Sequence, residues 1–504
     1  MRHVWIHRRN GDCDRDPSAH RVRPTDRARF GRRTQPSRGT RIIGVGGWAE
    51  LAPPLRTFDE HALAGAGLAE PAGHRDGHHD GAVEVDQCLH RETTLTGARP
   101  SDGTLAGMQE THAAEVQSVA RARPRVRWRR LLTVSAILLI LFGVPWWTVL
   151  SAGTQWPTAV VVAGTIVFVA AFTGLPALMV LGHGRRHLDR VAAIADALLG
   201  AVWVLFVWSV LAQLLRLVLL AAGVEDPVRS RVVAGVVVAV VVVLLGWGYA
   251  EAMRVPRTRR LEVAIRGLGH GLDGLQIAVI TDTHFGPIDR SRWSAAVVDR
   301  VNELEPDVVC HVGDIADGTA EVREPQARPL AAVRARLARV YVTGNHEYIS
   351  EAQGWLDYME RIGWDVLHNR HIVVEREGDR LVIAGVDDAT ALASGVDGHG
   401  ANLEAALADT DPALPVMLLA HQPKQVLQAV AAGVDLQISG HTHGGQIWPF
   451  NFLVRLDQPV VHGLSRHGER TQLYTSRGTG FWGPPFRVFA PSEITVLTLR
   501  RDQR

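Results

Sequence analysis

Five short blocks in the carboxyl-terminal half carry side chains of the kinds that bind metals or move protons. They are Asp282 and His284 in "DTH", Asp314 and Asp317 in "GDIAD", Asn345 and His346 in "GNHE", His421 in "AHQP", and His441 and His443 in "GHTH". A lone Asp after a strand is commonly a helix N-cap, and a lone His is commonly a hydrogen-bonded core residue. Capping does not explain five such blocks in succession, all of ligand type. Carboxylates, an amide and imidazoles without thiolates suit Mn, Fe or Zn better than Ca or a structural thiolate site. The set is large enough for two divalent metal ions sharing one carboxylate. In "ISGHTHGGQ" the histidines stand at i and i+2 on a strand tip, where both can turn toward one cation or a pair. With two cations, each histidine serves one.

The elements that must position these blocks are legible around them. From about residue 256 onward, apolar runs such as "LQIAVI", "PDVVCHV", "RVYVTG", "RLVIAG", "PVMLLA" and "DLQISG" alternate with amphipathic stretches, and "QLYTS" and "EITVLTLR" follow. Helices are expected near 292–304, 328–338, 350–362, 400–408 and 424–431. Strands this apolar need cover on both faces, which predicts an α/β fold with sheets flanked by helices. The five blocks then fall at the carboxyl ends of strands, where open α/β sheets place their ligand sites.

Upstream, four apolar runs at about 131–150, 158–182, 194–215 and 232–250 each approach the roughly 20 residues a helix needs to cross a bilayer. Arginines crowd one side of these spans, at Arg121, Arg123, Arg125, Arg127, Arg129, Arg130, Arg185, Arg186, Arg190, Arg254, Arg257, Arg259 and Arg260. The other side has Arg216, Arg229 and Arg231. The asymmetry predicts a multi-pass plasma-membrane protein with both termini, and the carboxyl-terminal domain, in the cytoplasm. Trp146, Trp147 and Trp156 suit an interfacial belt. Asp196, near the start of the third span, is expected to be solvated at the interface, although an ionisable group in a span is also a candidate for function.

Residues 1–120 are rich in Arg, Gly and His without a sustained period, and read as disordered; the histidines of "HRDGHHDG" are solvated coil in that reading. Met108 is a second candidate start, which would leave the preceding segment outside the protein. Across 504 residues, 54 basic and 52 acidic side chains nearly cancel, so no nucleic-acid partner is expected. Cys13, Cys88 and Cys310 form neither a disulfide framework nor a zinc knuckle.

The order D-x-H, G-D-x-x-D, G-N-H-[DE], H, G-H-x-H resembles the calcineurin-like metallophosphoesterase superfamily, over roughly residues 270–500. The stretches "TDTHFG", "GDIADG", "TGNHEY", "LLAHQP", "SGHTHGGQIWPF" and "SRGTGFWGPPFRVFAPSEIT" are similar to its YkuE/YaeI-type membrane-associated branch. The resemblance implies a β-sandwich flanked by helices (αββα) over 256–504, following four transmembrane helices over 131–250. It implies that Asp282, His284 and His443 bind one metal and that Asn345, His421 and His441 bind a second, with Asp314 bridging. His346, oriented by Asp317, would act on the leaving oxygen, and Glu347 would be structural. The implied reaction is hydrolysis of a phosphomonoester or phosphodiester by a metal-bridging water, with a lipid-linked or envelope-precursor substrate as one candidate. Phosphodiesterase action on soluble nucleotides and a non-catalytic metal-binding membrane module are the rivals. Relatives that dephosphorylate proteins carry Arg after the aspartate matching Asp317; here Gly318 stands there. Arg477 and Arg487 are candidate phosphate contacts, with loop packing as their other reading.

Overall fold

The computed structural model describes residues 128–184 and 188–502; the readings for 1–120, Met108 included, lie outside the described residues. Four long helices come first: α1 (Trp128–Ser151), α2 (Thr158–Gly182), α3 (Asp189–Ala221) and α4 (Val228–Met253). They contain the four apolar runs. Their outward faces, with Ile140, Val167, Leu214 and Val243 all exposed, are those a bilayer would cover. At the loop end away from the rest of the chain, Arg216 lies over the Trp147 ring and Arg231 over Trp156.

The remainder forms two six-stranded sheets. The first runs β1 (Arg257–Ile265), β12 (Glu493–Arg501), β2 (Gln276–Ile280), β3 (Val308–Val312), β4 (Ala338–Val342), β5 (Asp365–Val366). The second runs β10 (Gly463–His467), β11 (Thr471–Thr475), β9 (Leu436–Ser439), β8 (Val416–Leu419), β7 (Asp379–Gly385), β6 (Arg370–Arg376). Strands β2 to β5 are parallel, as are β7, β8, β9 and β11. The sheets meet through a core that includes Ile277, Val279, Val308, Cys310, Val340, Ile383, Leu419 and Ile438. Buried on both faces, these strands read as continuous apolar runs.

The outer face of the first sheet is covered by α5 (Ser291–Asn302), which contributes Val297 and Val301, and by a later helix that contributes Trp355 and Met359. The outer face of the second packs Ala384, Leu418 and Ala420 under Ala406 and Ala429. Helix, sheet, sheet, helix is therefore the layering. The helix expected near 328–338 is displaced. Thr319 caps α6 (Ala320–Ala327) by accepting from the Val322 amide, a 3₁₀ turn with Pro329 near its start continues to Ala332, and Val333 is extended.

The membrane helices and the sandwich share a packed seam. Val204, Val237, Val241 and Leu244 cluster with Ile447, Phe486 and Val488. Trp203 Nε1 donates to the Ile447 carbonyl at 3.3 Å, the Arg487 amide donates to the Gly248 carbonyl at 2.9 Å, and Arg323 makes a two-pronged pair with Asp189 at 2.7 and 2.8 Å. At Gly200 a Cβ would come within 2.6 Å of the Phe486 ring. Gly200→Ala is therefore expected to lower stability by about 1–3 kcal/mol, the usual cost of overpacking, measured as a fall in melting temperature in detergent.

Candidate metal centre

The parallel strands end side by side, and their loops carry the ligand-type residues. Asp282 and His284 follow β2, Asp314 and Asp317 follow β3, and Asn345 and His346 open α7 (Asn345–Ser350) after β4. From the second sheet, His421 follows β8, and His441 and His443 follow β9. Asp282, His284, Asp314, His441 and His443 all have positive φ, between 42° and 69°. Left-handed backbone at non-glycine residues is costly and concentrates where a site fixes side-chain direction. Close packing does the rest: a Cβ at Gly344 would fall 2.2 Å from Asp314 Oδ1.

Ligand atoms converge in two adjoining groups. His284 Nε2 and His443 Nε2 are 3.1 Å apart, with Asp282 Oδ1 3.4 Å from the latter. Asp314, His421 and His441 form the second group, and Asn345 Oδ1 accepts from His441 Nδ1 at 2.8 Å. Asp314 Oδ2 stands between the groups, 3.5 Å from His284 Nε2 and 3.1 Å from His421 Nε2. The donor set fits divalent cations. His421 Nδ1 is fixed by the Val312 carbonyl at 2.7 Å, while its buried Nε2 faces Asp314 without a hydrogen bond. A ring nitrogen aimed at a carboxylate, its partner nitrogen held by a carbonyl, is how metal-binding imidazoles are oriented.

The surroundings tune these groups. Burial, then the neighbouring His284 and Arg487, hold His443 well below the usual histidine range, and burial takes His441 to about 3; both stay in the neutral form that ligates. Burial also opposes charge on His346, but the carboxylates of Asp314 and Asp317 outweigh it and raise the imidazole to about 9. Its Nδ1 is 2.7 Å from Asp317 Oδ1, which also takes His284 Nδ1 at 3.0 Å. Glu347, pushed up to about 7 by burial and by Asp314, accepts from the amides of Asp314, Ile315 and Gly344. It ties the β3 and β4 loops together.

Residues 275–445 match the calcineurin-like phosphoesterase family. An uncharacterized metallophosphoesterase from Campylobacter jejuni is 30% identical over 342 residues, spanning 67% of this chain and 89% of that one. The chain belongs to the calcineurin-like phosphoesterase family. It is thus a metal-dependent phosphoester hydrolase by class, with membrane-spanning relatives. A transmembrane protein with metallophosphoesterase domain from Danio rerio is 36% identical over 306 residues, 59% of this chain and 70% of the relative. YkuE of Bacillus subtilis is 29% identical over 265 residues, 51% of this chain and 90% of the relative. Among solved structures, a dimetal phosphatase from Danio rerio aligns with 46% of this chain and 94% of its own at 14% identity, with a TM-score of 0.31.

Two expectations for this phosphoesterase change. Arg487 is 0% exposed and donates to the carbonyls of His443, Arg477, Gly480 and Ala490. It braces the loop beside His443 and has no face for a phosphate. Sequence position alone could not separate it from Arg477, which remains part-exposed beside His462. Asp196 is not solvated: it is 2% exposed and bonded to His183 Nε2 at 2.9 Å. Arg290, which the sequence reading passed over, is buried next to His284, between the rings of Trp293 and Phe481. A further group, His368, Asp387 and His399, lies within ligand distance of itself. Hydrogen bonds already account for it, since His368 Nδ1 faces Asp387 at 2.6 Å and the His399 ring nitrogens face Tyr348 and Gln353.

Proposed function

We propose that this phosphoesterase is a membrane-anchored di-metal enzyme that hydrolyses a phosphomonoester or phosphodiester. The observation that carries the reading is Asp314 Oδ2, placed between His284 and His421 so that one carboxylate serves both ligand groups. Asp282, His284 and His443 would hold one cation, and Asn345, His421 and His441 the other, as Mn, Fe or Zn. When bound, the pair supplies Lewis acidity toward phosphate oxygens and a water of lowered pKa.

The chain's own groups do the rest. Asp317 holds His346 by its Nδ1, leaving Nε2 to hand a proton to the departing oxygen. The Trp482 ring, 5.6 Å from that of His346, shields it on one side. Arg477, part-exposed at the rim, is the candidate for a phosphate oxygen. The arginine asymmetry along the spans supports a plasma-membrane protein with this domain in the cytoplasm. A reporter fused to the carboxyl terminus, active only in the cytoplasm, tests that orientation.

The test of the reaction uses the full chain in detergent with Mn²⁺, and bis-p-nitrophenyl phosphate and p-nitrophenyl phosphate as substrates. Metal-dependent turnover lost in His441→Ala is the expected result. Metal-loaded, folded protein without turnover would favour the binding-module reading. His346→Asn is expected to lower kcat by roughly 10²–10⁴-fold, the range for a positioned acid, with bound metal retained. Comparing cyclic nucleotides with lipid-linked phosphates then separates the soluble from the membrane-borne substrate class. The membrane helices packed beside the site favour the latter.

A further inference from the structure

The connection from β9 to β10 begins with the ligand candidates His441 and His443 and then runs out to the membrane helices. A Cβ at Gly445 would come within 2.5 Å of the Asn451 backbone, so the segment "WPFNFLVRL" is packed directly on the ligand loop. Its single helical turn, Asn451–Val454, buries none of its side chains. Phe450, Phe452 and Leu453 are exposed, and Leu456 is 84% exposed. Phe489, exposed as well, meets the Trp448 ring edge-on at 6.3 Å. Water-facing surfaces seldom gather so many large apolar side chains in one patch unless something covers it.

The helices that this patch touches give its depth. Arg216 over Trp147 and Arg231 over Trp156 mark one membrane interface. Trp247 lies about 24 Å along α4 from Arg231, and Trp203 about 20 Å along α3 from Arg216, at about 1.5 Å per residue. Both fall within a hydrocarbon layer about 30 Å thick. The Phe450 ring is 5.8 Å from that of Trp203, and the Phe489 ring is 5.5 Å from that of Trp247. These projections of the sandwich therefore reach acyl-chain depth, continuous with the exposed Val242 and Val243 of α4. Arg455 is exposed within the same segment. A basic side chain among Phe and Leu is the composition of segments that lie in a membrane interface.

We propose that Phe450–Leu456, with Phe489 beside it, is a membrane wedge. Its occupant is lipid: the Phe and Leu side chains lie among the acyl chains of the leaflet at the amino-terminal end of α3, and Arg455 meets the phosphates of anionic headgroups. The wedge holds the loop of His441 and His443 at headgroup level. With the phosphoesterase reading above, on which this consequence rests, phosphate esters of bilayer lipids reach the metal centre without leaving the membrane. The wedge itself is independent of that reading.

The test uses the full chain in vesicles of phosphatidylcholine and phosphatidylglycerol. Cys13→Ser and Cys88→Ser remove two thiols and the buried Cys310 stays. One new thiol at a time, from Phe452→Cys, Leu456→Cys or Glu303→Cys, carries a polarity-sensitive fluorophore. Glu303 is the control, exposed just before β3 at the strand ends opposite the metal centre. All three positions are exposed, where substitutions cost little stability. Lipids with a nitroxide on the acyl chain are expected to quench the Phe452 and Leu456 labels about threefold or more above the Glu303 label, since interfacial apolar faces lie about 5–10 Å into the headgroup and acyl boundary. Quenching no greater than at Glu303 would overturn the wedge. So would a blue-shifted, unquenched label whose shift grows with the protein-to-lipid ratio, because a second copy of the chain then covers the face. The readout needs no turnover, so failure of the wedge and failure of the phosphoesterase reading are separate results.

Discussion

Asp314→Asn is expected to lower metal-dependent turnover by about 10³-fold, because one carboxylate faces both ligand groups. Asp314 is buried, its Oδ1 accepts from the His346 amide at 2.9 Å, and its Oδ2 stands between His284 and His421. Asparagine keeps the shape and can keep the amide bond. It replaces the shared anionic oxygen with an NH₂ group whose hydrogens point where cations must sit. Cation stabilisation of a phosphoryl transition state is worth several kcal/mol, and each 1.36 kcal/mol is tenfold in rate. The check is kcat/KM on bis-p-nitrophenyl phosphate alongside metal content by mass spectrometry. A variant within tenfold of wild type, fully metal-loaded, would show that Asp314 does not bridge.

Glu347→Ala is expected to act on stability as strongly as Asp314→Asn acts on rate. The Glu347 carboxylate is fully buried and accepts from three backbone amides, those of Asp314, Ile315 and Gly344, at 2.6 to 3.0 Å. Removing it leaves three buried N–H groups unpartnered, each worth about 1–3 kcal/mol. The total is several kcal/mol, or roughly 10 °C or more in melting temperature at about 2–4 °C per kcal/mol. Glu351→Ala is the comparison, since the exposed Glu351 carboxylate accepts from one backbone amide, that of Ala320, among the described residues and its loss should move the melting temperature by about 2 °C at most. Equal shifts for the two variants would contradict the bracing role of Glu347.

The sequence exposes the site well and the sheet edges poorly, for a physical reason in each case. Asp282, Asp314, Asn345, His421 and His441 follow strands that are buried on both faces, so each block stands out as polar residues after an apolar run. The structure brings all of them, with His284, Asp317, His346 and His443, to one place. The strands that the patterning did not reveal are β1, β5, β6 and β10, which are the four sheet edges. "RTRRLEVAI" and "RHIVVER" are half-solvated and charged, as edges that avoid further pairing commonly are.

Arg290, Asp196 and Arg487 were illegible for a different reason. Each takes its role from an element distant in sequence: Phe481 over Arg290, the sandwich against Asp196, and four loop carbonyls around Arg487. No spacing within the chain announces such contacts. For Glu347, by contrast, the family resemblance implies a supporting or structural role, and its carboxylate accepts from three backbone amides.

The most direct measurement of the central claim is a titration of metal-stripped, full-length protein with Mn²⁺, followed by electron paramagnetic resonance and by turnover of bis-p-nitrophenyl phosphate on the same samples. The two ligand groups joined by Asp314 predict a spin-coupled pair at two ions per chain, with activity rising as the coupled signal rises. Full activity at one uncoupled ion per chain would contradict the di-metal account.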